Sequence, residues 1–190
     1  MQKIVSFWLI GYLLALVACA GNQSHERDTP IVLNKAVWND FNQALSLLKE
    51  EKYADAIPLL DNVIAKERRF PAPYINLGSA HAKLGHDKLA EENFLLALKI
   101  DPVNSHANNE LGLLLRKLGR FDDAKKAYET ALSKHPDYLP GRKNLGVLCD
   151  IYLRDLACAM KHFKKYQKYS PDDQQVKIWI ADLERRVAKQ

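Results

Sequence analysis

The chain has 190 residues, 47% of them hydrophobic, with 28 Lys and Arg against 23 Asp and Glu and a formal net charge of +5. That composition suits one globular domain or two small ones and excludes wholesale disorder, while three Cys, eight Gly and eight Pro exclude a disulfide-rich or collagen-like chain. The excess charge is small and scattered, so it makes no case for nucleic acid.

At the N-terminus Lys3 precedes an apolar run from Ile4 to Ala18, interrupted by Ser6, Gly11 and Tyr12. A charged start and a short apolar core read as a secretory signal, and the run falls short of the roughly 20 residues of a membrane-spanning helix. It ends in Leu16-Val17-Ala18-Cys19, which resembles the bacterial lipobox. The resemblance implies a signal peptide over 1–18, cleavage before Cys19, and acylation of Cys19 with diacylglycerol and a further acyl chain such as palmitate. Two or more acyl chains tether a protein firmly to a bilayer. Ala20 follows Cys19, where Asp would imply retention at the inner membrane, so the expected location is the outer membrane, facing the periplasm. Residues 19–32 then read as a lipidated polar linker that includes Pro30.

Beyond the linker the chain repeats itself. Leu77-Gly78, Leu111-Gly112 and Leu145-Gly146 recur at a constant step of 34 residues. The same step relates Gly85 to Gly119, Ala90 to Ala124, Phe94 to Tyr128, Ala97 to Ala131 and Pro102 to Pro136. This pattern at this period resembles the tetratricopeptide repeat family over residues 37–173. The resemblance implies an all-α fold, a right-handed solenoid of about four helical hairpins at 37–70, 71–104, 105–138 and 139–173, with a capping helix over 174–190. The small residues at 78 and 90 suit helices that cross closely, with Leu77 and Phe94 filling the space beside them. Gly85 suits a helix end in a left-handed conformation, and Asp101-Pro102 suits a helix stop.

Two repeats depart from the pattern. The first has Gln43-Ala44 in place of Leu-Gly, Arg68 in place of Pro, and Pro58 about one turn into its second helix, where a kink or a shifted start is expected. In the fourth, Ala159, Phe163 and Pro171 each come one residue late, which puts an extra residue in the turn near 153–155. The expected helices are 33–50, 54–67, 72–84, 87–100, 105–118, 121–134, 139–152, 155–169 and 172–188.

Motifs for chemistry are missing. There is no Gly-rich phosphate loop, nucleophile elbow or Cys-x-x-Cys pair, and no two of the six His lie three or four residues apart. His81 reads as a partly buried packing residue and His162 as exposed. Glu91-Glu92 and Asp122-Asp123 fall in first turns of second helices, where anions suit the helix dipole. The chain therefore reads as a non-enzyme without metal or cofactor. If Cys19 carries lipid, Cys149 and Cys158 remain. Facing helices of one hairpin bring such positions within the 4.4–6.8 Å Cα separation of a disulfide, and two small buried thiols are the alternative.

The family's ligand-facing positions lie on the first helix of each hairpin. Carried over by position, they include Trp38, Phe41, Leu45 and Lys49 in the first repeat, and Ile75, Ser79 and Lys83 in the second. The third repeat supplies His106, Asn109, Arg116 and Lys117, and the fourth supplies Lys143, Asp150 and Ile151. Asn109 suits a peptide backbone, while Arg116, Lys117 and Lys143 suit a carboxylate, a loose resemblance to the carboxylate clamp of chaperone-binding members. A lipid tether joined to a few such repeats resembles the pilotin-like lipoproteins of type IV pilus systems. That resemblance implies a non-catalytic scaffold that binds envelope proteins and helps a pilus or secretin assemble. An adaptor for peptidoglycan hydrolases or an envelope protease shares the same architecture. Nucleic acid is not expected as a partner, and the oligomeric state is open.

Overall fold

The computed structural model describes residues 34–189. The expected signal peptide 1–18, the acylated Cys19 and the linker 19–32 lie outside the described residues. All regular structure among the described residues is helical. Four hairpins follow in order: α1 (Lys35–Lys49) with α2 (Tyr53–Lys66), α3 (Pro71–Lys83) with α4 (Asp87–Ile100), α5 (Ser105–Lys117) with α6 (Phe121–Ala131), and α7 (Leu139–Val147) with α8 (Leu156–Tyr169). Helix α9 (Gln174–Val187) packs on α8 and ends the stack. Its Val176, Ile180 and Leu183 are buried, so it covers the apolar face that the last hairpin would otherwise expose. The first helices α1, α3, α5 and α7 touch one another in sequence, which makes them the inner row.

Each hairpin closes on a size-matched pair. A Cβ added at Gly78 would lie 2.7 Å from Phe94 Cε1, at Gly112 2.6 Å from Tyr128 Cε1, and at Gly146 2.5 Å from Phe163 Cε1. These aromatic rings lie flat against bare backbone, and any side chain at those glycines would displace them. In the first hairpin the equivalent positions are Ala44 and Leu60, both fully buried. There a smaller aliphatic partner leaves room for one methyl group, so the missing Leu-Gly is a compensated exchange. The first-hairpin pair and Ala56 are buried in one core cluster, and the rings of the other three pairs with Ala90, Ala124 and Ala159 in a second, with half-buried Ile64 packing against both, at about 25 cal/mol per Å² of apolar surface removed from water.

Caps and turns set the helix limits. Asn34, Asn104, Asp155 and Asp173 each accept a backbone N–H three residues ahead, at 2.9–3.1 Å. Helix α6 stops at Ala131, three residues before its expected end, and Ser105 Oγ satisfies the Ala131 carbonyl there at 2.7 Å. Helix α2 runs on through Pro58, whose ring is exposed. The turns after α1, α3 and α5 place Glu51, Gly85 and Gly119 at φ 59°, 80° and 75°. In each, the next residue donates to a carbonyl five positions back: Lys52 to Leu47, His86 to His81 and Arg120 to Leu115.

The fourth turn absorbs the extra residue. Helix α7 widens into a π-helical turn, Leu148–Tyr152, and the left-handed position moves to Arg154 at φ 54°. Asp155 N–H then reaches six positions back, to Cys149 O at 2.8 Å. The same region joins Cys149 to Cys158 with Cα atoms 5.8 Å apart, linking the π turn to the first turn of α8. Closing this short loop is worth about 2–3 kcal/mol in the chain-entropy account.

Tyr128 departs from its counterparts Phe94 and Phe163 in carrying a hydroxyl, which is buried and has no hydrogen-bond partner among the described residues. Burial pushes its pKa up. Removing an unsatisfied buried group is favourable, so Tyr128→Phe is expected to stabilise the protein by about 1 kcal/mol, about 2–4 °C in Tm. Thermal unfolding checks this, and a destabilised Phe variant would show that the hydroxyl has a partner in solution.

The inner face as candidate binding site

The residues expected to face a ligand divide into two groups. At the N-terminal end Trp38 is 49% exposed and Leu45 38% exposed, one turn or more apart on α1. Phe41, expected beside them, is instead 5% exposed. Its ring packs edge-on against Phe70 at 5.2 Å and lies 6.2 Å from Trp38, so it is the floor under Trp38 and not a contact surface. Ile75 is likewise buried, and Ser79 Oγ bonds back to Ile75 O at 3.0 Å. Lys49 and Lys83 are exposed in the last turns of α1 and α3, where a cation suits the helix dipole.

In the third and fourth repeats most of the expected clamp is already engaged. Asn109 is 3% exposed, and its amide donates to Glu110 Oε1 at 3.1 Å and accepts from Asn144 Nδ2 at 2.8 Å. Lys117 Nζ pairs with Asp87 at 2.6 Å. Lys143 Nζ pairs with Asp173 at 2.8 Å and lies 5.4 Å and 5.5 Å from the rings of Tyr166 and Trp179. Arg116 is half-buried, with its guanidinium 5.9 Å from the Tyr152 ring. Of the three cations only Arg116 forms no ion pair among the described residues, so the structure does not assemble a three-cation carboxylate clamp. Glu91 of α4 holds Arg120 at 2.6 Å across to the next hairpin, while Asp123 holds the same guanidinium at 3.2 Å from within its own hairpin.

At the C-terminal end an open cleft of about 600 Å³ is lined by Asp150, Ile151, Arg154, Leu156, Arg186 and Lys189. Asp150 pairs with Arg186 at 2.6 Å, while Ile151 is 62% exposed. Sequence spacing indicates Asp150 and Ile151. It does not indicate Arg154, Arg186 or Lys189, which arrive through the extra residue and the turn of α9. The inner face thus offers an apolar aromatic end, a middle with one free guanidinium beside Tyr152, and a mixed cationic and apolar far end.

Of the histidines, His81 is half-buried as expected and His162 departs from expectation. His81 and His86, five residues apart, meet across the turn with Nδ1 atoms 3.4 Å apart. Among the described residues no three His, Cys, Asp or Glu side chains converge as metal ligands. His162, expected to be exposed, is half-buried, and its Nδ1 has no partner among the described residues. Its Nδ1 is buried, with the Arg142 charge of α7 nearby. Burial, with Arg142, Lys161, Lys165 and Lys125 nearby, holds its pKa down at about 4. Asp173 is held down at about 2, first by the hydrogen bond from Lys143 and then by the Val176 N–H.

These shifts act in the same direction. The unfolded chain protonates a histidine near pH 6.5 while folded His162 resists until about pH 4, so stability falls as pH drops through that window. The Asp173 contribution is present above the normal carboxylate pKa and is lost as pH falls toward 2. Between pH 7.5 and 5 the His162 effect is about 2 kcal/mol. Urea unfolding at both pH values should show that loss, and His162→Gln should remove most of it. An equal loss in the variant would contradict the assignment.

Comparison with known proteins follows the same repeats. Two family models, both described as tetratricopeptide repeat, match residues 41–105 and 105–138, together just over half of the chain. A probable UDP-N-acetylglucosamine–peptide N-acetylglucosaminyltransferase SPINDLY of Solanum lycopersicum is 30% identical over 102 residues, 54% of this chain and 11% of that protein. Tetratricopeptide repeat protein 16 of Homo sapiens is 29% identical over 126 residues, 60% of this chain and 14% of that protein. The chain therefore spans a small part of these relatives, within their repeats. Among solved structures, Pseudomonas aeruginosa pilF superposes with TM-score 0.75 at 20% identity, covering 86% of this chain and 72% of that one. MamA of Desulfovibrio magneticus RS-1 gives TM-score 0.69 at 20% identity, covering 83% and 88%. With the 34-residue period, the size-matched hairpins and these matches in one register, the chain belongs to the tetratricopeptide repeat family.

Proposed function

We propose that this tetratricopeptide repeat protein is a lipid-tethered scaffold at the outer membrane, where its inner face binds a polypeptide of an envelope assembly such as a type IV pilus or its secretin. The binding role rests on the inner row of first helices. It leaves Trp38, Leu45 and Ile151 exposed at its two ends, and solenoids of stacked hairpins use such concave surfaces for partners. The tether rests on Leu16-Val17-Ala18-Cys19 behind the apolar run 4–18. The pilus assignment rests on the combination of tether and repeats. The likeness to pilF supports a shared fold for such a scaffold. Lys117–Asp87 and Arg120–Glu91 between the second and third hairpins, and Lys143–Asp173 between the fourth hairpin and α9, hold the inner face in one shape, which suits a surface that receives a partner without refolding.

Two measurements test this reading. Cells fed labelled palmitate should label the wild-type protein and not Cys19→Ser, and the variant should leave the membrane fraction. A photocrosslinking amino acid at position 38, 45 or 151 should capture a defined envelope polypeptide, and the same group at exposed Leu95 should not. Capture of a secretin or pilus protein supports the assembly role, and capture of a peptidoglycan hydrolase or protease replaces it with the adaptor role. Equal capture from all positions would contradict an inner-face site.

A further inference from the structure

Helix α8 has four lysines, Lys161, Lys164, Lys165 and Lys168, and no Asp or Glu. Lys164 pairs with Glu184 of α9 at 2.9 Å. Lys161, Lys165 and Lys168 are exposed and form no ion pair among the described residues. Their spacing of four and three residues places them on one helical face, over about 10 Å of helix axis. Lys161 and Lys165 lie at i and i+4, a like-charge spacing that opposes helix formation. Lys125 of α6 and the buried Arg142 of α7 add positive charge near His162 of α8. Tyr169, at the end of the same face, is 62% exposed.

We infer that this face of α8 rests on an anionic lipid surface. Its chemistry distinguishes that occupant from others. The exposed cations are all lysines, long flexible point charges that suit a mobile array of headgroup phosphates, whereas bidentate capture of a carboxylate favours arginine. The face belongs to a second helix, outside the inner row of first helices. An exposed tyrosine beside cations suits a water–lipid boundary. The inference goes beyond the scaffold reading and does not need the acylated Cys19. With a tether present, the lysine face would orient the solenoid on the bilayer and leave the inner row free.

The full-length protein is mixed with vesicles of phosphatidylcholine alone, or with about one third phosphatidylglycerol. Acetylation rates of Lys161, Lys165 and Lys168 by a water-soluble reagent are then read by mass spectrometry, with Lys49 and Lys83 as internal references. The expected result is at least fivefold protection of the three lysines on the anionic vesicles at low salt, lost in 0.5 M NaCl, with the references unchanged. In parallel, Lys161→Gln/Lys165→Gln/Lys168→Gln should lower the preference for anionic over neutral vesicles by about 100-fold, near fivefold per lysine. These exposed substitutions leave the core untouched, and circular dichroism verifies folding. No protection on anionic vesicles overturns the inference, as does protection by inorganic phosphate or polyglutamate but not by vesicles. Acylated protein without this protection leaves the tether standing, and protection without acylation leaves the lysine face standing.

Discussion

The structure depends on how closely the two helices of a hairpin approach each other. At Gly78, Gly112 and Gly146 an aromatic ring of the second helix lies against the backbone of the first, closer than any side chain would allow. The first hairpin carries Ala44 and Leu60 at these positions, both fully buried. Shifting volume from one helix to the other preserves the fit, which explains why the repeat survives the loss of its Leu-Gly signature. Each pair sits at the same place in its hairpin, and the stack of hairpins brings the first helices together as an inner row.

That shape also determines which charges remain for a partner. Stacking at a fixed period puts Lys117 beside Asp87, Arg120 beside Glu91 and Lys143 beside Asp173, each pair 29 or 30 residues apart. Exposed pairs of this kind contribute little individually, but two of them tie the second hairpin to the third and one ties the fourth to α9. The cations expected to clamp a ligand are therefore largely spent on the scaffold. The surface left for recognition is more apolar, with Trp38 and Ile151 at its ends and Arg116 near Tyr152. Fold alone does not name the partner, and these few side chains carry whatever selectivity the inner face has.

Period and residue size are legible in the amino-acid sequence. The 34-residue step gives the hairpins, and the late Ala159, Phe163 and Pro171 locate the extra residue. What the extra residue becomes is not legible there, since a π turn and a left-handed Arg154 are one of several ways to absorb it. Contacts between hairpins are hidden for a similar reason. Asn109 with Asn144 depends on the angle between neighbouring hairpins, and Lys143 with Asp173 on how α9 docks, which no local pattern encodes. Phe41 reads as a ligand contact because its position in the repeat faces inward, yet Phe70 of the next hairpin covers it. His162 reads as exposed beside lysines, but its Nδ1 is buried, with the Arg142 charge nearby.

A double-mutant cycle on one hairpin tests most directly whether these size-matched pairs govern the fold. Gly78→Ala alone should cost about 2–3 kcal/mol by overpacking against Phe94, and Phe94→Leu alone about 1 kcal/mol or more by leaving a void. Together they recreate the Ala–Leu pair of the first hairpin, so urea unfolding of the double variant should recover most of both losses, with a coupling of at least about 1 kcal/mol. Losses that simply add would show that the hairpins do not depend on this fit.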